Sequence, residues 1–334
     1  MRSVTKSMGN QEKSGIAVAG SVLVDKINEI HAYPESGELT QIVNLEKAVG
    51  GCVPNVALDL KKICPEMEIQ AIGKIGDDEE GAYVTDVLRQ GGVDVSGFVV
   101  SKEDKTSFTE VMSVMNGQRT FFTYPGTSAD FGYQDIDFEG LSTKILHLGY
   151  FLLLQKVDNG EGLQILKKAQ EMGIKTSIDL VSENSDRYSL VLPCLPYTDY
   201  LIVNEVEAGK LTNIEPTDEN LEKIARTLKE MGVREKVVIH KPDRAVCLSK
   251  EAYTVVGSYV LPEGYIKGTT GAGDAFCAGT LIGIYKEWQD QEILEFASAS
   301  AVMALGSADA TSGLKKEEEI KKYCKQFDRI KPEV

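Results

Sequence analysis

The stretch IKGTTGAGDAFCAGTLIGIY, residues 266–285, sets one carboxylate, Asp274, directly behind Gly271, Ala272 and Gly273 at the start of an apolar helix. A helix N-terminus presents unpaired backbone N–H groups and a partial positive charge, and glycine lets the backbone come close to an anion. Gly271, Ala272 and Gly273 can therefore donate to a phosphoryl oxygen and stabilise the charge that builds up as the group transfers. Asp274, in the first helical turn, points at the same spot and can take the proton of an acceptor hydroxyl. Taken alone, a first-turn aspartate simply complements the helix dipole. The turn is not a Walker loop, because no glycine-rich sequence ending in Gly-Lys-Ser or Gly-Lys-Thr occurs.

Two more groups of residues carry polar chemistry. In VGGCVPNVALDL, Gly50 and Gly51 precede a helix with Asn55 in its opening turn. One reading is a tight strand-to-helix turn with a capping asparagine. The other lays the glycine backbone against a polar substrate whose hydroxyls Asn55 bonds. Asp25, after an apolar run, is an acceptor that suits the same polyol, or a plain turn residue. In NEVEAGKL, Asn204 and Glu207 stand three apart and face one spot from a helix start. They can form an N-terminal cap, or hold a hydrated Mg2+, which keeps several waters and binds few protein groups.

The elements that must position these groups follow from periodicity. IAVAGSVLVD reads as one buried strand with Asp25 near its end, and GELTQIVNLEKAVGG as one or two exposed strands. CVPNVALDLKKI has apolar residues at helical spacing, IQAIGKIG is a strand, and DEEGAYVTDVLRQGG is a helix closed by glycines. In SFTEVMSVMNGQRTFFTYPG, two β-rich runs flank Asn116-Gly117, a strong hairpin signal. After Gly126 strands and helices alternate: KILHLGY, IKTSIDL, DYLIVN, KVVIHK and AVCLSKEAYTVV are strands, NSDRYSLVLPCL is partly helical, and helices cover 205–211 and 218–231 and start at Ala272, Gln291 and Lys315. That alternation predicts an α/β fold with a doubly wound, mostly parallel sheet flanked by helices. The strands near 26–48 and 107–124 do not fit it and are expected to form a small β lid. In such folds ligands bind at the carboxyl ends of strands, where Asp25, Gly50, Gly51, Asn204 and the 269–274 turn fall on this reading.

Composition narrows the partners. With 334 residues, 42% of them hydrophobic, the chain can bury a large core. A formal net charge of −15 argues against nucleic acid and anionic membranes as partners. No window approaches the roughly 20 apolar residues of a membrane span. Residues 1–14 lack the apolar core of a signal peptide and read as a disordered tail before a domain over 15–330. Six scattered cysteines without a CxxC pair suggest free thiols in a reducing cytoplasm.

In order and spacing, GSVLVD (20–25), GGCVPN (50–55), GKIGDDEEG (73–81), NEVE (204–207) and TTGAGDAFCAG (269–279) resemble the ribokinase-like carbohydrate kinase family, from about residue 16 to 325. The resemblance implies an ATP-dependent kinase for a hydroxyl of a sugar, sugar acid or nucleoside. It implies Asp274 as catalytic base, Gly271, Ala272 and Gly273 as anion hole, and Asp25, Gly50, Gly51 and Asn55 at the substrate. It also implies Asn204 and Glu207 at Mg2+ and phosphate, Thr270 and Ser298 on the nucleotide side, and a lid that in many members mediates dimerisation. Three positions depart from the family. Gly268 replaces an aspartate that helps bind K+ in several relatives, which puts monovalent-cation activation in question. Pro242 and Ala245 stand where a G-x-x-G turn is common, and Ser298 where ribokinases carry asparagine beside the adenine. A nucleoside kinase, a phosphofructokinase-like enzyme using Lys26, Lys47 or Arg119, and a non-catalytic sugar sensor are the other readings. A dehydrogenase is disfavoured, since no G-x-G-x-x-G follows the first strand. Sugar choice would rest on side chains such as His31, Phe108, Phe122 and Tyr124.

Overall fold

A computed structural model describes residues 13–114, 119–307 and 309–331; the Asn116-Gly117 turn and residues 1–12 of the expected tail lie outside them. The strands are β1 (Ile16–Gly20), β2 (Leu23–Ile30), β3 (Ile42–Gly50), β4 (Ile69–Gly76), β5 (Asp94–Ser101), β6 (Ser107–Val114), β7 (Arg119–Tyr124), β8 (Ile145–Phe151), β9 (Lys175–Leu180), β10 (Tyr200–Asn204), β11 (Lys236–His240), β12 (Arg244–Leu248) and β13 (Tyr253–Gly257). The helices are α1 (Cys52–Ile63), α2 (Glu79–Gln90), α3 (Gly126–Asp130), α4 (Gly162–Glu171), α5 (Glu205–Thr212), α6 (Leu221–Glu230), α7 (Ala272–Tyr285), α8 (Asp290–Leu305) and α9 (Glu317–Cys324).

Nine strands form one sheet in the order β13-β12-β11-β10-β9-β8-β1-β4-β5. From β5 to β11 every neighbouring pair is parallel, and β12 and β13 extend that edge antiparallel. Successive strand side chains point to opposite faces, so a sheet covered on both sides needs continuous apolar runs. β1 shows this: Ile16 and Val18 join the core under α1, α7 and α8, while Ala17 and Ala19 join the core under α4 and α6. α7 is buried from Asp274 to Ile284 because it lies between α1 and α8.

The chain leaves this sheet sooner than its apolar run suggests. IAVAGSVLVD is two strands: β1 stops at Gly20, and β2 begins at Leu23 in a separate four-stranded sheet ordered β3-β2-β6-β7. Asp25 therefore sits within a strand of the small sheet, and not at the end of a central strand. Burial on both sides of the junction makes the two strands read as one. β5, an edge strand of the large sheet with mostly half-exposed side chains, has no counterpart among the sequence expectations. All six cysteines are free and buried.

Ser21, in the two-residue link between the sheets, also anchors the start of α1. Its Oγ accepts from Cys52 N at 3.0 Å and its carbonyl from Val53 N at 3.1 Å. Gly51 precedes the helix at φ 88°, a region that favours glycine, and a Cβ there would sit 2.7 Å from the Ser21 carbonyl oxygen. A Ser21→Ala variant leaves the buried Cys52 N–H without its acceptor. Urea unfolding is expected to show a loss of about 1–2 kcal/mol; an unchanged midpoint would remove Ser21 from this capping role.

Candidate active site

Asp274 lies in the first turn of α7, 5% exposed, and three elements meet at its carboxylate. From α1, Asn55 Nδ2 donates to Oδ2 at 2.9 Å. From β8, the Tyr150 hydroxyl donates to both oxygens at 3.0 Å. Asn55 thus reaches across to Asp274 and does not cap α1, a task that falls to Ser21. Its Oδ1 is buried with no hydrogen-bond partner among the described residues. Tyr150 adopts φ 61°, uncommon for a non-glycine residue. The β8–β9 pairing breaks register between Leu148 and Phe151, and Tyr150 N donates to Asp179 Oδ1 at 2.6 Å. Such an irregularity re-aims a side chain beside a site.

Helix geometry supplies the donors next to this acid. Gly271 is left-handed at φ 79°, and the first helical bond runs from Ala275 N to Gly271 O at 2.8 Å. Ala272 N makes a long turn bond of 3.4 Å to Thr269 O. The N–H groups of Gly273 and Asp274 have no acceptor among the described residues. Gly271, Gly273 and Asp274 line a cavity of about 260 Å³ that also touches the carboxyl ends of β9, β10 and β11.

Asn204 and Glu207 line the same cavity and form a capping box at α5. Asn204 Oδ1 accepts from Glu207 N at 2.9 Å, and Glu207 Oε2 from Asn204 N at 3.0 Å. Ser182 Oγ bridges them, donating to Glu207 Oε1 and accepting from Asn204 Nδ2, each at 2.7 Å. Structural cap and cavity wall are one device here.

No lysine or arginine is among the described residues that line the cavity, while Asp179, Glu207 and Asp274 are. Burial, with Asp179 adding to it, pushes Asp274 up to about 7 against the bonds from Asn55 and Tyr150. Burial likewise pushes Glu207 up to about 7. His240, whose ring lies 4.6 Å from that of Phe276, is held down at about 4 by burial and is neutral at neutral pH.

The remaining sequence candidates fall elsewhere. Asp25, Gly50 and Gly51 lie where the small sheet meets α1 and do not line the cavity. The Asp25 carboxylate rests against Gly50, where no Cβ would fit, and burial raises it to about 6. Ser298 is buried within α8, and Thr270 is exposed on the approach to α7; neither lines the cavity. Pro242 lies in the β11–β12 turn, closed by Lys241 N to Arg244 O at 2.9 Å, and Ala245 is inside β12. Pairing places Phe108, Phe122 and Tyr124 on the face of the small sheet opposite Asp25. Lys26 shares that opposite face, bound to Glu80 at 2.8 Å and lying over the Phe108 ring. Sequence reading missed Tyr150, Asp179, Ser182 and His240; the carboxyl ends of KILHLGY and IKTSIDL were the available signal.

The sequence pattern of the pfkB family carbohydrate kinases matches residues 15–317. A 5-dehydro-2-deoxygluconokinase of Clostridium perfringens is 23% identical over 329 residues, covering 95% of this chain and 94% of the relative. Fructokinase-1 of Oryza sativa is 26% identical over 319 residues, covering 91% and 95%. The solved ribokinase of Arabidopsis thaliana complexed with ribose and ATP superposes with a TM-score of 0.81 at 21% identity, covering 94% of this chain and 99% of that one. At that identity the likeness establishes the fold alone.

Asp274 and Glu207 both sit above their ordinary values of 3.8 and 4.5, so the folded chain keeps protons that the unfolded chain has released. Their contribution to stability therefore falls as pH rises from those values through about 7. Carbon NMR of the Asp274 carboxyl is expected to report the high value directly. Tyr150→Phe removes a donor that favours the charged form and should raise it further by about one unit. A titration near 4 in the unmodified protein, or no change in the variant, contradicts this account.

Proposed function

Because the chain belongs to the pfkB family of carbohydrate kinases, we propose that its cavity passes the γ-phosphoryl group of ATP to a hydroxyl of a sugar, with Asp274 as the base. The observation that carries this is the meeting, at one helix mouth, of a buried carboxylate and two N–H groups unpartnered among the described residues. Asn55 and Tyr150 orient Asp274, which takes the hydroxyl proton as that oxygen attacks phosphorus. Gly271, Ala272, Gly273 and the Asp274 N–H form the anion hole, the N–H groups of Gly273 and Asp274 having no acceptor among the described residues. Asn55 Oδ1, buried and without a partner among the described residues, accepts from a second sugar hydroxyl. Asp25 and the Gly50-Gly51 backbone hold the remainder of the sugar, and the small sheet acts as the lid over it.

Asn204 and Glu207 fit a hydrated Mg2+ held through waters. Glu207 is buried, its carboxylate faces no lysine or arginine in the cavity, and both its oxygens already accept bonds that fix its orientation. The ion, when bound, neutralises charge on the phosphates of ATP. On the Asp25 face of the small sheet, the one cation among the described residues is Arg119, at the far end of β7. This favours an uncharged sugar over a sugar acid or a sugar phosphate.

A coupled ADP-release screen over neutral sugars, sugar acids, sugar phosphates and nucleosides tests the reading. Turnover is expected with a neutral sugar, and Asp274→Asn should lower kcat by about 10²–10⁴-fold with little change in sugar affinity. Near-normal turnover in that variant would falsify the base role, and calorimetry showing sugar binding with no ATP binding would favour a sensor.

The face of the small sheet opposite Asp25 exposes Leu45, Phe122 and Tyr124 at 71%, 58% and 40%. An apolar face of this kind suits a second copy of the chain, in keeping with lid-mediated dimers. Sedimentation is expected to show a dimer that Leu45→Lys converts to monomer; a monomeric unmodified chain contradicts it.

A further inference from the structure

Behind the base lies a buried group of donors that the phosphoryl-transfer reading does not use. Strand alternation puts His147 and Gly149 of β8 and Ser177 and Asp179 of β9 on one face of the large sheet. Cys52, the first residue of α1, and Cys277, in α7, come down on that face from the helices above it. Gly149 makes room for this approach, because a Cβ there would collide with the Cys52 sulfur. The Cys52 thiol, a His147 ring nitrogen and an Asp179 oxygen all lie within 4.8 Å of one another. The Cys277 sulfur lies 3.6 Å from His147 Nε2.

Two details separate this group from an ordinary hydrogen-bonded cluster. Nε2 faces Asp179 Oδ2 at 3.4 Å, long for a hydrogen bond, and Oδ2 accepts none among the described residues. Tetrahedral zinc, with bonds of about 2.0–2.3 Å, sets its donors roughly 3.3–3.8 Å apart, which matches both Nε2 separations. The outer contacts that orient metal ligands are also in place. Ser177 Oγ lies 3.0 Å from His147 Nδ1, which turns Nε2 toward Cys277 and Asp179, and Tyr150 N holds the other Asp179 oxygen at 2.6 Å.

We propose that Cys52, His147, Asp179 and Cys277 form a binding site for a soft divalent cation, zinc by preference, at the floor of the cavity. Thiolate and imidazole donors select zinc over the hard Mg2+ of a kinase reaction. Asp179 and Cys277 line the cavity, so the ion enters through it, and the thiol protons leave to solvent as the sulfurs bind. Occupancy draws on the carboxylate that holds Tyr150, and Tyr150 in turn holds Asp274, so bound zinc should slow whatever reaction Asp274 performs. The site itself does not depend on the kinase reading.

The test is titration of the reduced, chelator-treated full chain with Co2+, followed by zinc K-edge X-ray absorption on the zinc-loaded protein. One Co2+ per chain is expected, with a thiolate-to-cobalt charge-transfer band and the visible bands of a tetrahedral site, displaced by one equivalent of Zn2+ and unaffected by excess Mg2+. The absorption spectrum should show sulfur together with nitrogen or oxygen in the first shell. Cys52→Ser/Cys277→Ser should lose the charge-transfer band and weaken zinc binding by about 100-fold or more. If the unmodified chain gives no thiolate band, if its zinc shell lacks sulfur, or if the band survives in the folded double variant, the proposal fails. The X-ray measurement needs no variant, so a misfolded double mutant does not blunt the test.

Discussion

A carboxylate taken out of water must be met by donors or keep its proton, and Asp274 sits at the balance point of those two outcomes. Burial and the neighbouring Asp179 favour the proton; Asn55 and Tyr150 favour the charge. Each donor comes from a different element, so the carboxylate takes this pose only when α1, β8 and α7 have docked. A group poised in this way can accept a proton near neutral pH, as general-base chemistry requires.

The docking depends on how the chain leaves the large sheet. Ser21 follows β1 directly, binds the first amides of α1, and hands the chain to the small sheet two residues later. One short link therefore fixes both the helix carrying Asn55 and the strand carrying Asp25. Gly50 and Gly51 are small where this link is tightest, at the Asp25 carboxylate and the Ser21 carbonyl.

The electrostatics of the cavity are one-sided. Its described lining offers carboxylates and amide donors without a lysine or arginine. Backbone dipoles at the mouth of α7 suit an anion, and the acidic wall opposite suits a cation. Dividing the two roles between different walls lets one small cavity serve both signs of charge. The carboxylate of Asp179 reaches further, since it joins the cavity surface to the buried histidine and thiols behind it.

Much of this was legible in the amino-acid order because it is local. The mouth of α7 with Asp274, the Asn204–Glu207 pair and the alternation of strands and helices depend on neighbours a few residues apart, where periodicity and helix-end chemistry act. The split of IAVAGSVLVD between two sheets was not legible, because burial at the junction gives both halves the same apolar character. Nor was the partner of Asn55, which lies 219 residues away in the chain, or the roles of Tyr150 and Asp179, which look like ordinary strand-end residues until β8 and β9 pair out of register. The sequence alone determined the helix mouth and the acid within it. Only the tertiary structure decided what holds that acid and where its proton affinity lies, because both depend on dehydration and on contacts between elements far apart in the chain.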